Sequence, residues 1–86
     1  MSEDTDRVAV TVGEWPDDAD SDEGVVVNWF AREGAGVSEG ESLCEIQIEK
    51  VSLDVYAPAD GTLDEIARGE DDEFERGDTL AWVTPA

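Results

Sequence analysis

An approximate internal repeat constrains this chain more than any other feature of its sequence. When the 86-residue sequence is shifted by 37 positions, a stretch of 23 positions aligns without a gap, and identical or similar residues coincide at several of them. The identical residues are Gly24 with Gly61, Glu33 with Glu70, Gly40 with Gly77 and Leu43 with Leu80. Two copies are too few for a solenoid. We therefore predict two related halves that bury their apolar faces against each other.

The segments that precede the two copies align with a different shift. Residues 8–12 fall on residues 51–55 after a shift of 43 positions. The loop that follows the first strand, predicted at residues 13–23, is therefore six residues longer than its counterpart in the second half. It contains Pro16 and a run of acidic residues.

Apolar and polar residues alternate along most of the chain, a pattern typical of β-strands. The predicted strands are residues 8–12, 25–30, 43–49, 51–56, 62–67 and 79–84, and the stretches 33–40, 58–61 and the acidic segment up to residue 77 are predicted as turns. No segment has a convincing helical period. We predict an all-β domain over residues 8–84, with about seven or eight short strands in a sandwich or flattened barrel. Residues 1–7 are predicted to form an acidic, flexible leader.

A hairpin is predicted at the centre of the chain. The apolar positions of the two adjoining strands are Cys44, Ile46 and Ile48, then Val51, Leu53 and Val55. Their parity changes across Glu49 and Lys50, as a two-residue hairpin loop requires. The register then pairs residue 48 with 51, 46 with 53 and 44 with 55 on the apolar face. On the other face Glu45 lies opposite Asp54, which is a pair of like charges.

The charge of the chain excludes several classes of function. The sequence has 24 acidic and 5 basic residues, a formal charge of −19. Such a chain repels the phosphates of nucleic acid and of anionic membranes. No apolar run approaches the ~20 residues of a membrane span, and residues 1–4 do not resemble a secretory signal. We expect neither a nucleic-acid nor a membrane partner.

The residue types also limit the chemistry and favour a cytoplasmic location. The chain has no histidine and a single cysteine, Cys44, so zinc sites with N/S ligands, histidine-based triads and internal disulfides are excluded. We predict no metal site and no catalytic residue. A lone cysteine fits a reducing cytoplasm. Self-repulsion of the acidic surface would be screened at ~1 M salt, where the Debye length is about 3 Å. We therefore hypothesise the molar-salt cytoplasm of a halophile; the alternative is an acidic surface that meets a basic partner.

Lys50 is the only lysine of the chain, and the predicted hairpin places it at an exposed tip. A lysine on a rigid, protruding turn suits covalent attachment of a prosthetic group that carries a carboxylic acid. The tip gives a modifying enzyme access to the amine, and the hairpin fixes its position. The alternative is an ordinary surface lysine, since exposed turns are where lysines usually lie.

An ordered set of short motifs resembles the lipoyl domain of 2-oxo acid dehydrogenase complexes, within the biotinyl/lipoyl attachment superfamily. The motifs are Gly13-Glu14, Gly24, Trp29, Glu33-Gly34, Gly40-Glu41-Ser42-Leu43, Glu49-Lys50-Val51, Pro58-Ala59-Asp60-Gly61 and Gly77-Asp78-Thr79-Leu80. The resemblance covers residues 8–84 and implies two four-stranded antiparallel sheets with quasi-twofold symmetry. The chain departs from the family pattern at Glu49 and Val51, where the family usually has Asp and Ala, and at Ala35 and Ile48.

The resemblance implies a carrier domain rather than an enzyme. Lys50 would hold lipoate as an amide, and Glu49 and Val51 would be the flanking residues that a lipoate ligase or lipoyl transferase recognises. The other implied partners are a thiamine-dependent 2-oxo acid decarboxylase, a dihydrolipoyl acyltransferase and dihydrolipoyl dehydrogenase. The loop with Gly13, Glu14 and Trp15 would help partners recognise the domain. The alternative interpretation, which the sequence supports equally well, is an acidic loop that is only solvated.

Two alternatives to a lipoyl carrier stay open from the sequence. A biotinyl carrier of a carboxylase or decarboxylase would hold biotin on Lys50, but its lysine is typically flanked by methionines and the only methionine here is Met1. An unmodified acidic β module would bind proteins without a prosthetic group. The domain could be free-standing or part of a dihydrolipoyl acyltransferase.

Overall fold

Eight strands form two four-stranded antiparallel sheets in a computed structural model that describes residues 7–86. The strands are β1 (Val8–Val10), β2 (Glu23–Trp29), β3 (Gly36–Val37), β4 (Ser42–Ile48), β5 (Val51–Tyr56), β6 (Gly61–Ile66), β7 (Glu73–Glu75) and β8 (Ala81–Pro85). One sheet has the order β1-β8-β6-β3 and the other β5-β4-β2-β7. The all-β prediction is confirmed, as is the prediction of two antiparallel sheets in a flattened sandwich.

The core is apolar and lies between the two sheets. The side chains that are less than 2 % exposed are Val10, Val26, Leu43, Cys44, Ile46, Ile48, Leu63, Leu80, Ala81 and Val83. Within residues 7–86 no polar or charged residue is buried. The charged side chains of these residues are therefore on or near the surface, where water and salt can screen them.

The two halves are related by the predicted quasi-twofold symmetry. A shift of 37 residues carries β2, β3 and β4 onto β6, β7 and β8, and it carries the order of one sheet onto that of the other. The ladder irregularity between Val26 and Asn28 recurs between Leu63 and Glu65.

Hydrogen bonds cross between the halves in matched pairs. The Gly34 amide donates to the Leu63 carbonyl at 2.7 Å, and the Asp71 amide donates to the Val26 carbonyl at 2.8 Å. Gly34 and Asp71 are equivalent in the repeat and both have positive φ, 90° and 72°. Each half therefore ties its turn to a strand of the other half.

Gly24 and Gly61, which coincide in the repeat, are required for the same steric reason. A Cβ at Gly24 would lie 2.6 Å from the Phe74 ring, and a Cβ at Gly61 would collide with the Thr84 carbonyl oxygen. The repeated glycine therefore marks the point in each half where a neighbouring strand or ring packs directly on the backbone.

The structure differs from the sequence prediction at several strands. Residues 33–40 and the acidic segment before residue 77, both predicted as turns, contain the short strands β3 and β7. The first strand ends at Val10 rather than residue 12. Trp29 and Trp82 are half-buried rather than fully enclosed between the sheets. The Trp29 indole donates to the Arg68 carbonyl at 2.7 Å, so its polar edge has to stay near the surface.

The predicted leader falls outside the described residues except for Arg7. This side chain is half-buried, forms salt bridges with Asp64 and Glu65, and lies 4.9 Å over the Trp82 ring. The part of the chain that the structure describes contains no helix that could span a membrane.

Candidate functional site

The central hairpin has the register that the apolar parity predicts. Ile48 pairs with Val51, Ile46 with Leu53 and Cys44 with Val55. Glu45 lies directly opposite Asp54 on the other face. Since this register leaves only Glu49 and Lys50 unpaired, Lys50 lies at the tip of the β4–β5 turn.

Glu49 adopts an unusual backbone conformation at this tip. Its φ is 56°, in the left-handed region that residues other than glycine, asparagine and aspartate rarely adopt. Positive φ at the first loop position is common to both favoured types of two-residue hairpin turn. The turn geometry is therefore ordinary, but the residue that occupies it is not, and something must hold Glu49 in place.

The Glu49 carboxylate is held by the loop that follows β1, residues 11–22, which we call the first loop. Its Oε2 atom accepts hydrogen bonds from the backbone amides of Asp20 at 2.7 Å and Ser21 at 2.8 Å. Bonds from two amides to one carboxylate are charge-assisted and stronger than neutral ones. The first loop is thereby joined to the lysine turn by a single side chain.

The first loop is also packed on the body of the domain. The Trp15 indole donates to the Ser21 carbonyl at 3.0 Å, and the ring meets the Phe74 ring edge-on with centroids 6.2 Å apart. The guanidinium of Arg76 lies 5.7 Å from the Trp15 ring centroid, and the Arg76 amide donates to the Asp22 carbonyl at 2.6 Å. Trp15 is half-buried, so it anchors the loop rather than standing free in solvent.

Lys50 is exposed and makes no salt bridge within residues 7–86. The arginines that do form salt bridges there are Arg7, Arg68 and Arg76. That Lys50 forms no salt bridge in the described part of the chain is notable, because the sequence has 24 acidic residues. Its nearest carboxylate in sequence, that of Glu49, is occupied by the amides of the first loop. Within residues 7–86 the amine is therefore exposed and not held in a salt bridge.

A shallow groove of about 300 Å³ lies beside the lysine. It is lined by Pro16, Asp18 and Ala19 of the first loop and by residues 48–51 of the hairpin. Val51 is 39 % exposed, so an apolar side chain next to the lysine is open to a partner. The amine thus lies in one groove with apolar side chains, which an acyl chain on that amine could contact, and with the acidic residue Asp18.

The predicted recognition residues of the first loop do not all lie at the lysine. Gly13 and Glu14 are exposed and line a separate groove of about 410 Å³ with Tyr56 of β5. The loop residues that contact the turn are Asp20 and Ser21, which sequence reasoning missed. They act through backbone amides, which every residue except proline carries, so no side-chain signal could have identified them.

Cys44 is not part of the site. It is fully buried between the sheets, and burial, with a smaller contribution from the charge of Asp54, raises its pKa from 9.0 to about 12. Within residues 7–86 no group of three or more His, Cys, Asp or Glu side chains is arranged to hold a metal ion.

We predict that Cys44 resists thiol reagents while the protein is folded. With a pKa of about 12, only about one thiol in ten thousand is ionised at pH 8. Because the raised pKa keeps the proton on the folded state, this group does not affect the free energy of unfolding below pH 9 and lowers it above pH 9. Maleimide labelling followed by mass spectrometry checks this, with the protein in denaturant as the reactive control. Stoichiometric labelling of the native protein at pH 8 would contradict it.

A family model and curated relatives match most of this chain. The family model described as biotin-requiring enzyme, which covers biotinyl and lipoyl attachment domains, matches residues 8–83. The succinyltransferase component of the 2-oxoglutarate dehydrogenase complex of Rickettsia felis is 36% identical over 61 residues, which are 71% of this chain but 15% of that protein. The acetyltransferase component of the pyruvate dehydrogenase complex of Acholeplasma laidlawii is 30% identical over 61 residues, 71% of this chain and 11% of that protein. The chain thus spans a small part of these relatives.

A solved structure of similar size has the same fold. The lipoyl domain of the 2-oxoglutarate dehydrogenase complex from Azotobacter vinelandii is similar with a TM-score of 0.74 and 28% sequence identity. The similarity covers 92% of this chain and 98% of that domain. The two molecules therefore match over nearly their whole lengths.

Proposed function

Because this chain belongs to the biotinyl/lipoyl attachment family and matches lipoyl domains within it, we propose that it is a lipoyl carrier domain with lipoate joined to Lys50 by an amide bond. The observation that carries the proposal is the only lysine of the chain, exposed at a two-residue hairpin tip and without a salt bridge in the described part of the chain. An amine in this position is accessible to a ligase and fixed in direction by two paired strands.

The residues around Lys50 fit an amide-linked acyl arm. The amide forms when the lysine nitrogen, after losing a proton, attacks an activated lipoyl carboxyl group supplied by the ligase and displaces its leaving group. Once attached, lipoate supplies a dithiolane that carries acyl groups and reducing equivalents. The chain itself supplies the attachment point, the direction of the arm and the surface that partners recognise. We propose no catalytic residue in it.

The proposed partners are those of a 2-oxo acid dehydrogenase complex. A lipoate ligase or lipoyl transferase would modify Lys50, and a thiamine-dependent 2-oxo acid decarboxylase would load the arm. A dihydrolipoyl acyltransferase would accept the acyl group, and dihydrolipoyl dehydrogenase would reoxidise the arm. Tethering the arm to the complex raises its effective concentration at each of these enzymes. The matches to acyltransferase components support this set.

Acyl loading tests the proposed function. The domain is lipoylated with a ligase that is active on a known lipoyl domain, then incubated with a thiamine-dependent decarboxylase and either 2-oxoglutarate or pyruvate. We expect a mass increase that corresponds to one acyl group with one of the two acids. Modification by a biotin ligase instead of the lipoate ligase would replace this proposal with a biotinyl carrier. If neither ligase modifies the domain, the remaining hypothesis is an unmodified module that binds proteins.

We also propose that the domain works in a cytoplasm of molar salt. The formal charge of −19 and the facing pair Glu45 and Asp54 both destabilise the folded state at low ionic strength. The thermal midpoint in increasing potassium chloride tests this proposal.

A further inference from the structure

The connection between the first loop and the lysine turn depends on one side chain. Glu49 lies 29 residues from Asp20 and 28 from Ser21 in sequence, and its carboxylate accepts hydrogen bonds from the backbone amides of both. Among the described residues no other hydrogen bond joins the first loop to the turn. The remaining bonds of the loop, such as those of Trp15 to Ser21 and Arg76 to Asp22, tie it to itself or to the segment after β7.

The same two bonds determine where the negative charge next to the lysine points. Glu49 directly precedes Lys50, and a free carboxylate at that distance would be available to pair with the amine. In the structure its Oε2 atom is occupied by the loop amides instead, and Lys50 forms no salt bridge within the described range. The contact that joins the loop to the turn therefore also directs the Glu49 carboxylate toward the loop.

The contact also explains a backbone conformation that is otherwise unfavourable. Glu49 has a φ of 56°, and a glycine at this position would adopt it without steric cost. Glycine at the first loop position is also the ordinary choice for one of the two favoured hairpin turns. A side chain long enough to reach the amides of Asp20 and Ser21 offsets the steric cost of the glutamate.

We propose that Glu49 is a positioning residue that holds the first loop against the lysine turn, so that modifying and acylating enzymes meet the loop and Lys50 as one rigid surface. The groove between Pro16, Ala19 and Val51 exists only while the loop is held there, since its walls come from both segments. This inference rests on the proposed function for the identity of those enzymes, but the positioning itself is a property of the unmodified domain.

Two variants separate the positioning role from the stability of the turn. Glu49→Gly keeps the turn, because glycine accepts the positive φ, and removes the carboxylate. Glu49→Gln keeps an oxygen acceptor of the same reach and removes only the charge. Glu33→Ala is the matched control. It also removes a carboxylate that accepts a hydrogen bond from a backbone amide, that of Ile66 at 2.8 Å, but this contact does not involve the lysine turn.

The first readout is amide hydrogen exchange of the unmodified domain. In Glu49→Gly the protection of the Asp20 and Ser21 amides is expected to fall about tenfold or more, the effect of losing a charge-assisted hydrogen bond. In Glu49→Gln the loss is expected to be at most about threefold, since a neutral acceptor remains. In Glu33→Ala the protection of both amides is expected to match that of the unsubstituted domain. Unchanged protection in Glu49→Gly would overturn the inference.

The second readout is the kinetics of lipoylation. We expect the KM of the ligase for Glu49→Gly to rise about tenfold with kcat unchanged, and Glu49→Gln to restore it to within about threefold. If the Asp20 and Ser21 amides lose protection but the KM is unchanged, the ligase does not recognise the position of the loop. If the KM for Glu49→Gln is as high as that for Glu49→Gly, only the charge of Glu49 matters. Should the unsubstituted domain itself not be lipoylated, the proposed function fails, while hydrogen exchange still decides whether Glu49 holds the loop.

Discussion

The Lys50→Arg variant is expected to lose all lipoyl attachment and all acyl loading while keeping the stability of the unsubstituted domain. Arginine preserves the positive charge at the turn, but its guanidinium is a poor nucleophile and does not replace the lysine amine as an acyl acceptor. Lys50 is exposed and makes no salt bridge within residues 7–86, so the free energy of unfolding should change by less than about 0.5 kcal/mol. Mass spectrometry after ligation and a thermal melt measure the two effects separately.

A relocated lysine provides the matched control for this variant. Arg32 is the other basic residue that is exposed and has no salt bridge in the described part of the chain. The double variant Lys50→Arg with Arg32→Lys therefore has the composition and net charge of the original sequence. We expect it to remain unmodified, because the new amine lies outside the β4–β5 hairpin. Modification of the relocated lysine would show that the ligase accepts any exposed amine and that the hairpin geometry is not required.

The second large effect is the dependence of stability on salt. The thermal midpoint is expected to rise on the order of 10–20 °C between about 0.1 M and about 3 M potassium chloride, equivalent to about 2–3 kcal/mol for a domain of this size. The reason is self-repulsion: 24 carboxylates are balanced by 5 basic residues, and acidic side chains face each other in the pairs Glu45/Asp54 and Glu23/Glu75. Salt shortens the range of that repulsion in the folded state.

A variant with fewer charges distinguishes two effects of salt: screening of the repulsion between carboxylates, and a general strengthening of the burial of apolar side chains. Replacing Glu45 with Gln and Asp54 with Asn removes one facing pair and leaves the apolar core unchanged. We expect this double variant to melt higher than the unsubstituted domain at low salt and to gain less from added salt. A midpoint that stays flat or falls as potassium chloride is added would reject the molar-salt proposal and leave the acidic surface as a candidate site for a basic partner.

The hairpin and the two-halved fold could be predicted from the sequence because side-chain parity determines them. A one-residue slip in β4–β5 would turn the apolar side chains of the shifted strand, such as Ile46 of β4 or Val55 of β5, to solvent, so only one register buries both. The repeat likewise predicted related halves, since equivalent glycines, Gly24 and Gly61, meet equivalent close contacts. In both cases the determining interaction is the burial of apolar side chains or steric contact, and both leave a pattern in the sequence.

The short strands and the contact of Glu49 left no such pattern. β3 and β7 each contribute a single buried apolar side chain, Val37 and Phe74, which is too little for an alternation to be visible. They are strands because the backbone of a neighbouring strand pairs with them. The partners of Glu49 are backbone amides, so the sequence could identify the glutamate as a neighbour of the lysine but not what it binds.

The mass of the intact protein after incubation with lipoate, ATP and an active lipoate ligase, followed by peptide mapping, tests the lipoyl carrier proposal most directly. The proposal predicts one lipoyl-sized increment per chain, located on the peptide that contains Lys50 and absent from Lys50→Arg. An unmodified chain, in a reaction where the same ligase fully modifies a known lipoyl domain, would contradict it.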